Sequence, residues 1–480
     1  PNIEELLFKL SKLITFNDQH KLRLLKKLKK RKPWEPVIIS DNLTWSEFSK
    51  LNIFLHEIPG IKPVVAVARK YAQDGSFSHL VGYVSDVSES DLQKSKLLRE
   101  INVPGLKTGK TGLEKSLNEK IFGKPGFERY EVNAYGKRVK EVKSIKGTIG
   151  ENFKTTLDMD VQRFSNELLK DKSGSICVMD IYTGDIIAMV SSPTFDPNKF
   201  VHGISNEDWQ RLIGDTTKPL INKAISGLYP PGSTIKPIVA LSALENDVVS
   251  PNTTVECKGE IELYGHKYHC WKEKGHGFLK LRNAIKQSCD IYFYEIARIL
   301  GVDRLAVTAK KFGLGNKVFD ILNEEQIGLV PTTKWKLKNI GKGWVIGETL
   351  LAGIGQGYFQ ATPIQLCLMT AQLANGGYKI KPKIIFNEQV VQPATENQEE
   401  KFRQLYRNQE NVKFVLDAQF GATNEPMGTS YKSRHVKSEY IFAGKTGTSQ
   451  IRSVTKEERE LKIKQKDLPY KRRDHALFTA

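Results

Sequence analysis

The chain has 480 residues and a formal net charge of +19, because 73 lysines and arginines outnumber 54 aspartates and glutamates. Apolar residues make up 39% of the sequence, and no uninterrupted apolar run reaches the roughly 18 residues that span a bilayer, which excludes a membrane bundle. The apolar content is still high enough for folded cores, which excludes a disordered chain, and the length favours two or three domains.

The positive charge is concentrated in two segments. Ten lysines and arginines lie in residues 1–32 against three acids, and nine lie in 451–474 against five acids. Such segments can neutralise nucleic-acid phosphates or attract anionic lipid head groups, the latter by about 1 kcal/mol per basic residue. The sequence has no helix-turn-helix, OB-type or RNP pattern, so we expect solvated or membrane-facing segments rather than nucleic-acid binding.

The first part of the chain, 1–148, has the pattern of a small α/β module with long excursions. Leucines at helical spacing predict a helix within 5–30, and a valine-rich run after Gly60 predicts a strand at 64–68. A short helix is expected around Leu113 and Leu117, and a strand followed by a turn at 128–136. We take this module as the first predicted domain.

The second predicted domain, 149–480, begins where the pattern changes. It should contain a helix ending near Leu169, a hairpin of strands at 174–180 and 186–190, and a helix at 235–244 that follows two prolines. Helices are expected up to residue 380, a polar surface excursion at 390–412 and a strand edge at 442–449. The predicted fold class is therefore α/β, an α+β chain of more than one domain.

Three short motifs in the second domain indicate acyl-transfer chemistry. They are Ser233-Thr234-Ile235-Lys236, Ser288-Cys289-Asp290 and Lys445-Thr446-Gly447-Thr448. Residues three apart share a helix face, so Lys236 can reach Ser233 and accept its proton if the lysine pKa is lowered by burial or a second cation such as Lys445. Ser288 is suited to relay a proton to a leaving amine. The backbone N–H groups of Ser233 and Thr448 are suited to an oxyanion hole, and a glycine at 447 allows close approach of a substrate.

Each motif alone is a weak signal, but the three in this order resemble the active-site triplet of the penicillin-binding, serine-type D,D-transpeptidases. Longer matches resemble the class B, elongation-specific group known as penicillin-binding protein 2. They are Leu55–Gly60, Tyr130–Asn133, Pro193–Asn198, Tyr229–Pro237, Gly353–Gln365 and Asp474–Phe478. The middle motif ends in Asp290, where many relatives carry asparagine.

This resemblance implies a fold and a reaction. The fold is a transpeptidase domain of the serine β-lactamase-like type at 149–480, preceded by a non-catalytic, elongated pedestal and head of the dimerisation type at 1–148. Ser233 would attack the D-Ala–D-Ala bond of a peptidoglycan stem and pass the acyl group to an amine during lateral wall elongation. β-Lactams would acylate the same serine. Lys236, Ser288, Asp290 and Lys445 would be catalytic, and Thr446, Gly447 and Thr448 would bind substrate, with Thr446 and Lys445 holding its carboxylate.

The resemblance also implies a cellular setting. The enzyme would be held in the inner membrane by one N-terminal anchor, with its catalytic domain in the periplasm, and would meet a SEDS-family glycosyltransferase and rod-complex scaffold proteins. The chain starts at Pro1 without a visible anchor and stops within a strand pattern, so we expect a fragment cut at both ends that lacks its C-terminal strand and helix. No organic cofactor is expected.

Other functions remain open for the same scaffold: a D,D-carboxypeptidase, a β-lactamase or a non-catalytic penicillin-binding sensor. A class A β-lactamase would need a deacylating Glu-x-x-Leu-Asn motif, which does not occur between Ser288 and Lys445. A stable or a rapidly hydrolysed acyl-enzyme would distinguish these possibilities.

A second cluster of reactive residues surrounds the middle motif. Cys257, Cys270, His276 and Cys289 have the spacing C-x12-C-x5-H-x12-C, and three thiolates with one imidazole suit a structural tetrahedral Zn²⁺ site. A Cys257–Cys270 disulfide is the alternative in an oxidising compartment, and His266 and His269 are alternative ligands. The resemblance adds weight to zinc. Trp271 is expected to pack around this loop, whereas Cys177 and Cys367 lie in apolar runs and should be buried thiols.

Overall fold

The computed structural model describes residues 3–14, 21, 22, 24–26, 28, 37–40, 43–65, 67–101, 105–133, 138–263, 265–386, 403–451 and 465–480. The chain divides into two compact units, one of Pro1–Asn152 with Thr194–Leu220 and one of Phe153–Pro193 with Ile221–Ala480. From the sequence we predicted a domain boundary after residue 148, and no pattern indicated that residues 194–220 belong to the first unit. Among the described residues, no helix has the length and apolar character to cross a membrane.

The first unit is built of short helices and two small antiparallel sheets. The helices are α1 (Ile3–Ser11), α2 (Trp45–Ile53), α3 (Ser78–Val81), α4 (Glu89–Lys94), α5 (Lys96–Ile101), α6 (Gly112–Ser116), α7 (Asn118–Ile121), α9 (Asn198–Val201) and α10 (Asn206–Gly214). Strand β1 (Val84–Asp86) pairs with β2 (Lys107–Gly109), and β3 (Phe127–Val132) pairs with β4 (Arg138–Ile145). Helices α2 and α4 begin at capping boxes, in which Thr44 and Ser88 accept the N–H three residues on.

Several predictions for this unit can be compared with it directly. The short helices at 112–121 and the strand at 127–132 confirm the sequence interpretation. The strand predicted at 64–68 is wrong: the described residues there form no strand, and Val64, Val65 and Val67 are exposed. A valine-rich run becomes a strand only where another strand pairs with it. The turn expected at 134–136 lies outside the described residues, as do 11 of the 19 lysines and arginines in the two basic segments.

The second unit contains the larger core. Its helices are α8 (Met159–Leu168), α11 (Lys223–Ser226), α12 (Lys236–Glu245), α13 (Leu281–Lys286), α14 (Asp290–Leu300), α15 (Val302–Lys311), α16 (Thr333–Ile340), α17 (Ile346–Gly353), α18 (Pro363–Ala374) and α19 (Gln409–Asn424). The antiparallel strand pairs are β5 (Gly174–Met179) with β6 (Ile186–Ser192), β7 (Thr254–Cys257) with β10 (Gly277–Lys280), β8 (Glu260–Leu263) with β9 (His266–His269), and β11 (Lys445–Ser449) with β12 (His475–Thr479).

Helix α12 is the centre of this core. Nine of its ten residues are buried, because its sequence is apolar on every face and α14, α15 and α19 pack around it. The predicted helix at 235–244 is thus confirmed, as is the hairpin of β5 and β6. The excursion predicted at 390–412 extends too far, because α19 already begins at Gln409, while 387–402 lies outside the described residues.

Candidate active site

The first motif lies where the chain enters the central helix. Residues Gly232–Ile235 form a 3₁₀ turn that leads directly into α12 at Lys236. Ser233 and Lys236 are therefore one turn apart, the spacing on which the predicted contact between them rests, and that contact stays a prediction. Within the turn only Ser233 is partly exposed, and Gly232, Thr234 and Ile235 are buried. The hydroxyl that the sequence selected as a nucleophile is therefore accessible on an otherwise rigid support.

Lys236 is completely buried and holds the second motif. Its Nζ donates to Ser288 O at 2.9 Å, to Ser288 Oγ at 3.2 Å and to Asp290 Oδ1 at 2.7 Å. A buried ammonium needs such a carboxylate, since an unpaired charge in this position would cost several kcal/mol. Asp290 thus fixes the position of the lysine amine, a role that its residue type alone did not reveal.

Ser288 occupies a strained backbone conformation between the two lysines. Its φ is +54°, in the left-handed region that costs a non-glycine residue about 1–2 kcal/mol. Its Oγ accepts one hydrogen bond from Lys236 at 3.2 Å and a second from Lys445 Nζ at 2.9 Å. With both lone pairs of the oxygen occupied, the Ser288 hydroxyl hydrogen is directed elsewhere, which suits a group that passes a proton to a substrate.

Lys445 begins β11 and is also fully buried. Its Nζ donates to Thr446 O at 2.8 Å as well as to Ser288 Oγ. Burial, reinforced by the neighbouring charge of Lys236, lowers the pKa of Lys445 well below the usual lysine value. The expectation was that Lys445 would supply the cation that affects Lys236. That expectation stays a prediction.

Two glycines allow β11 to lie directly against the turn that carries Ser233. A Cβ placed on Gly232, whose φ is +55°, would lie 2.4 Å from Thr448 O, and one on Gly447 would lie 2.7 Å from the Thr234 side chain. Gln356 Nε2 donates to the same Thr448 carbonyl at 3.0 Å. These contacts place the Thr448 peptide next to Ser233, as an oxyanion hole formed by their N–H groups requires.

The comparisons with known proteins agree with this geometry. Residues 174–465 match the penicillin-binding protein transpeptidase domain, and residues 1–155 match the penicillin-binding protein dimerisation domain. The chain is 35% identical over 459 residues to the peptidoglycan D,D-transpeptidase MrdA of Salmonella typhimurium, covering 94% of this chain and 73% of that protein. It is 32% identical over 490 residues to MrdA of Escherichia coli K12, covering 100% of this chain and 76% of that protein.

Solved structures show the same similarity. The penicillin-binding protein PBP2 of Helicobacter pylori, in complex with MreC, has a TM-score of 0.82 at 30% identity, covering 99% of this chain and 84% of that one. Pseudomonas aeruginosa PBP2 in complex with WCK 5153 has a TM-score of 0.72 at 35% identity, covering 87% and 83%. The chain belongs to the penicillin-binding transpeptidase family. Both the recognition made from the sequence motifs and the predicted fold are thereby confirmed.

This penicillin-binding transpeptidase also gathers the predicted metal ligands. The donor atoms of Cys257, Cys270, His276 and Cys289 all lie within 4.8 Å of one another. The Nδ1 atom of His276 is 3.5 Å from the Sγ atoms of both Cys257 and Cys270, and all these cysteines are free thiols. The Cys289 thiol, by hydrogen bonding, lowers the pKa of Cys270 to about 3, while Cys270 and burial raise the pKa of Cys289. Deprotonation of Cys270 is therefore favoured, whereas deprotonation of Cys289 beside it is disfavoured, because two buried negative charges would repel each other. We call these three cysteines and His276 the sulfur cluster.

Trp271 connects this cluster to the catalytic residues of the transpeptidase. Its backbone N–H donates to Asp290 Oδ2 at 3.0 Å, and its indole Nε1 donates to Ser288 O at 3.1 Å. Its ring also meets that of His276 edge-on at 5.4 Å, although 60% of the residue is exposed. From the sequence we expected Trp271 only to pack around the loop. A tryptophan beside a cysteine gives no sign of whether it only packs or also donates hydrogen bonds to catalytic residues.

Two further residues at this site were missed. Thr429 accepts a hydrogen bond from Thr446 Oγ1 at 2.8 Å, and Gln356 holds the Thr448 carbonyl. Gln356 belongs to the stretch 353–365 that resembles the family, and this was the only evidence in the sequence that it lies at the site. Thr429 lies in a loop without a recognised motif. By contrast, His269 contacts Glu260 rather than the sulfur cluster, at 3.5 Å between Nδ1 and Oε2.

Proposed function

We propose that this chain is a serine-type D,D-transpeptidase that cross-links peptidoglycan stem peptides during lateral wall elongation, and that β-lactams inactivate it. The observation that carries the proposal is the convergence of Lys236 and Lys445 on Ser288 Oγ beside the turn that bears Ser233. Family membership and the MrdA relatives support the same reaction.

The first half of the reaction forms the acyl-enzyme. For Ser233 Oγ to attack the carbonyl carbon of the penultimate D-Ala, Lys236 must be in its neutral amine form, and the Ser233 proton then passes to it, one turn along. The N–H groups of Ser233 and Thr448 stabilise the negative charge that develops on the carbonyl oxygen. As the C–N bond breaks, Ser288, with its two lysine neighbours, passes a proton to the departing D-Ala nitrogen.

The second half transfers the acyl group. The amine of a neighbouring stem attacks the acyl carbonyl, loses a proton to the same basic groups and displaces Ser233 Oγ, which regains its proton. Thr446 and Lys445 hold the carboxylate of the donor stem at the start of the cycle. A β-lactam enters the same sequence, but its leaving nitrogen stays tethered to the acyl group, so the acyl-enzyme persists.

Labelling with a fluorescent penicillin tests the proposal. We expect a stable covalent adduct that mass spectrometry maps to Ser233, that disappears in Ser233→Ala and that persists in the surface control Ser250→Ala. Rapid release of the label would favour a hydrolase. Absence of any adduct on the folded protein would exclude the serine mechanism. A stem pentapeptide with an acceptor amine then separates transpeptidase activity from D,D-carboxypeptidase activity, which releases D-Ala without forming a cross-link.

We also propose that the four-residue cluster holds a structural Zn²⁺. The donor chemistry fits: the donor atoms of three cysteines and one histidine all lie within 4.8 Å of one another, and His276 Nδ1 lies 3.5 Å from the sulfurs of Cys257 and Cys270. Zinc would supply the positive charge that several buried thiolates need, and four protein ligands would leave no position for catalysis. Metal analysis should find one zinc per chain, lost in Cys257→Ser. A mass two hydrogens light with no zinc would instead indicate the Cys257–Cys270 disulfide.

The cellular setting is a proposal as well. We propose a periplasmic catalytic domain held to the inner membrane by an N-terminal anchor, and contacts with a SEDS-family glycosyltransferase and a rod-complex scaffold protein. Support comes from the Helicobacter pylori PBP2 structure, which was solved as a complex with MreC. Co-purification of the full-length protein with its own MreC-type and SEDS-type proteins, with and without the first unit, tests these contacts.

A further inference from the structure

The loop between α19 and β11 is anchored to the helix that precedes Ser288. Glu425, at the end of α19, pairs with Arg282 and with Lys286 of α13, each at 2.6 Å. Four residues later, Thr429 N donates to the carbonyl of the same Lys286 at 3.3 Å. Lys286 lies two residues before Ser288, so this loop is held in a fixed position relative to the middle motif.

The side chain of Thr429 extends this connection to the third motif. Thr446 Oγ1 donates to Thr429 Oγ1 at 2.8 Å, and both threonines are half-buried. Thr446 is the residue assigned to the substrate carboxylate. Its hydroxyl has a single hydrogen, which cannot serve Thr429 and a carboxylate at the same time.

We propose that Thr429 is a positioning residue that orients the Thr446 hydroxyl towards the carboxylate of the substrate. When the carboxylate binds, Thr446 turns its hydrogen to it, and Thr429 reverses its role and donates to Thr446 Oγ1. The Thr446 oxygen then remains hydrogen-bonded, and a donor that itself accepts a hydrogen bond is a stronger donor. The inference rests on the proposed function, since it concerns the same substrate.

A pair of ligands that differ only in charge provides the test. Rates of Ser233 acylation are measured with benzylpenicillin, which has the carboxylate, and with its methyl ester, which does not. The variants are Thr429→Val, which keeps the shape and removes the hydroxyl, and Thr429→Ser, which keeps the hydroxyl. Thermal unfolding of each variant checks that it is folded.

We expect Thr429→Val to acylate roughly tenfold more slowly with benzylpenicillin, as for a lost hydrogen bond that supports a charged group, and to leave the ester rate within about twofold. Thr429→Ser should restore the preference for the carboxylate. An equal fall with both ligands would show that Thr429 only supports the loop, and unchanged rates would show that it does nothing for binding; either result overturns the proposal. A wild-type protein that forms no adduct with either ligand would instead refute the proposed function.

Discussion

Replacing Gly232 by alanine tests whether the backbone contact between β11 and the Ser233 turn governs acylation. The new Cβ would lie 2.4 Å from Thr448 O, whereas contacts under 3.0 Å are essentially never seen, so the strand or the turn must move by about 0.6 Å (3.0 − 2.4 Å). Displacements near 1 Å at a reacting centre cost on the order of 100-fold in rate, so we expect acylation to slow by roughly tenfold to 100-fold. The positive φ adds about 1–2 kcal/mol of lost stability.

Gly341→Ala is the matched control for this variant. Gly341 also has a positive φ, +74°, but a Cβ there meets nothing within 4 Å. Gly341→Ala should lose a similar amount of stability, because alanine is strained at a positive φ, and should keep the wild-type rate of acylation. Stopped-flow acylation with a fluorescent penicillin gives the rate, and urea unfolding gives the stability. If Gly232→Ala acylates as fast as Gly341→Ala, the close approach of the strand is not what positions the oxyanion hole.

Three further variants test the electrostatics. Asp290→Asn cannot accept from both Lys236 and the Trp271 N–H, so it should lose about 1–3 kcal/mol in urea unfolding; no loss would contradict the shared-carboxylate arrangement. Burial lowers the pKa of Lys445 in the folded protein, so below the pKa of the unfolded chain it is the unfolded chain that binds the extra proton. The stability of the wild type relative to Lys445→Met should therefore rise between pH 7 and pH 10. A stability difference that does not change with pH would refute this. Arg282 and Lys286 lower the pKa of Glu425 to about 2, so the contribution of its carboxylate to folding stability is present above pH 4.5 and disappears towards pH 2. Glu425→Gln should therefore be destabilised by about 0.5–1 kcal/mol at pH 7 and by little at pH 2. An equal loss of stability at both pH values would argue against the ion pairs.

The sequence predicted the parts of the site that depend on local spacing. Ser233 and Lys236 are three residues apart in one turn, and Ser288 and Asp290, which both contact Lys236, lie in a single stretch, so each motif is a local unit. The same was true of helix α12, whose apolar run follows two prolines. Local pattern failed at 64–68, where the strand preference of valine was not matched by a partner strand among the described residues.

Interactions between distant segments were beyond the sequence. Thr429 and Thr446 are 17 residues apart, and Trp271 and Asp290 are 19 apart, with no periodicity that links them. No local pattern marks them, so only the folded chain shows that they contact catalytic groups. The left-handed backbone of Ser288 was equally invisible, because serine rarely adopts it.

The tripeptide Ser288-Cys289-Asp290 contributes in turn to the catalytic site and to the sulfur cluster. This limits which substitutions the enzyme can tolerate there. Ser288 and Asp290 contact Lys236, while the side chain between them belongs to the sulfur cluster. A substitution at Cys289 would remove one donor of the sulfur cluster and also alter the catalytic loop, and a substitution at either neighbour would disturb the cluster. Natural variants that evade β-lactams should therefore avoid this tripeptide and arise at positions that serve only one of the two sites.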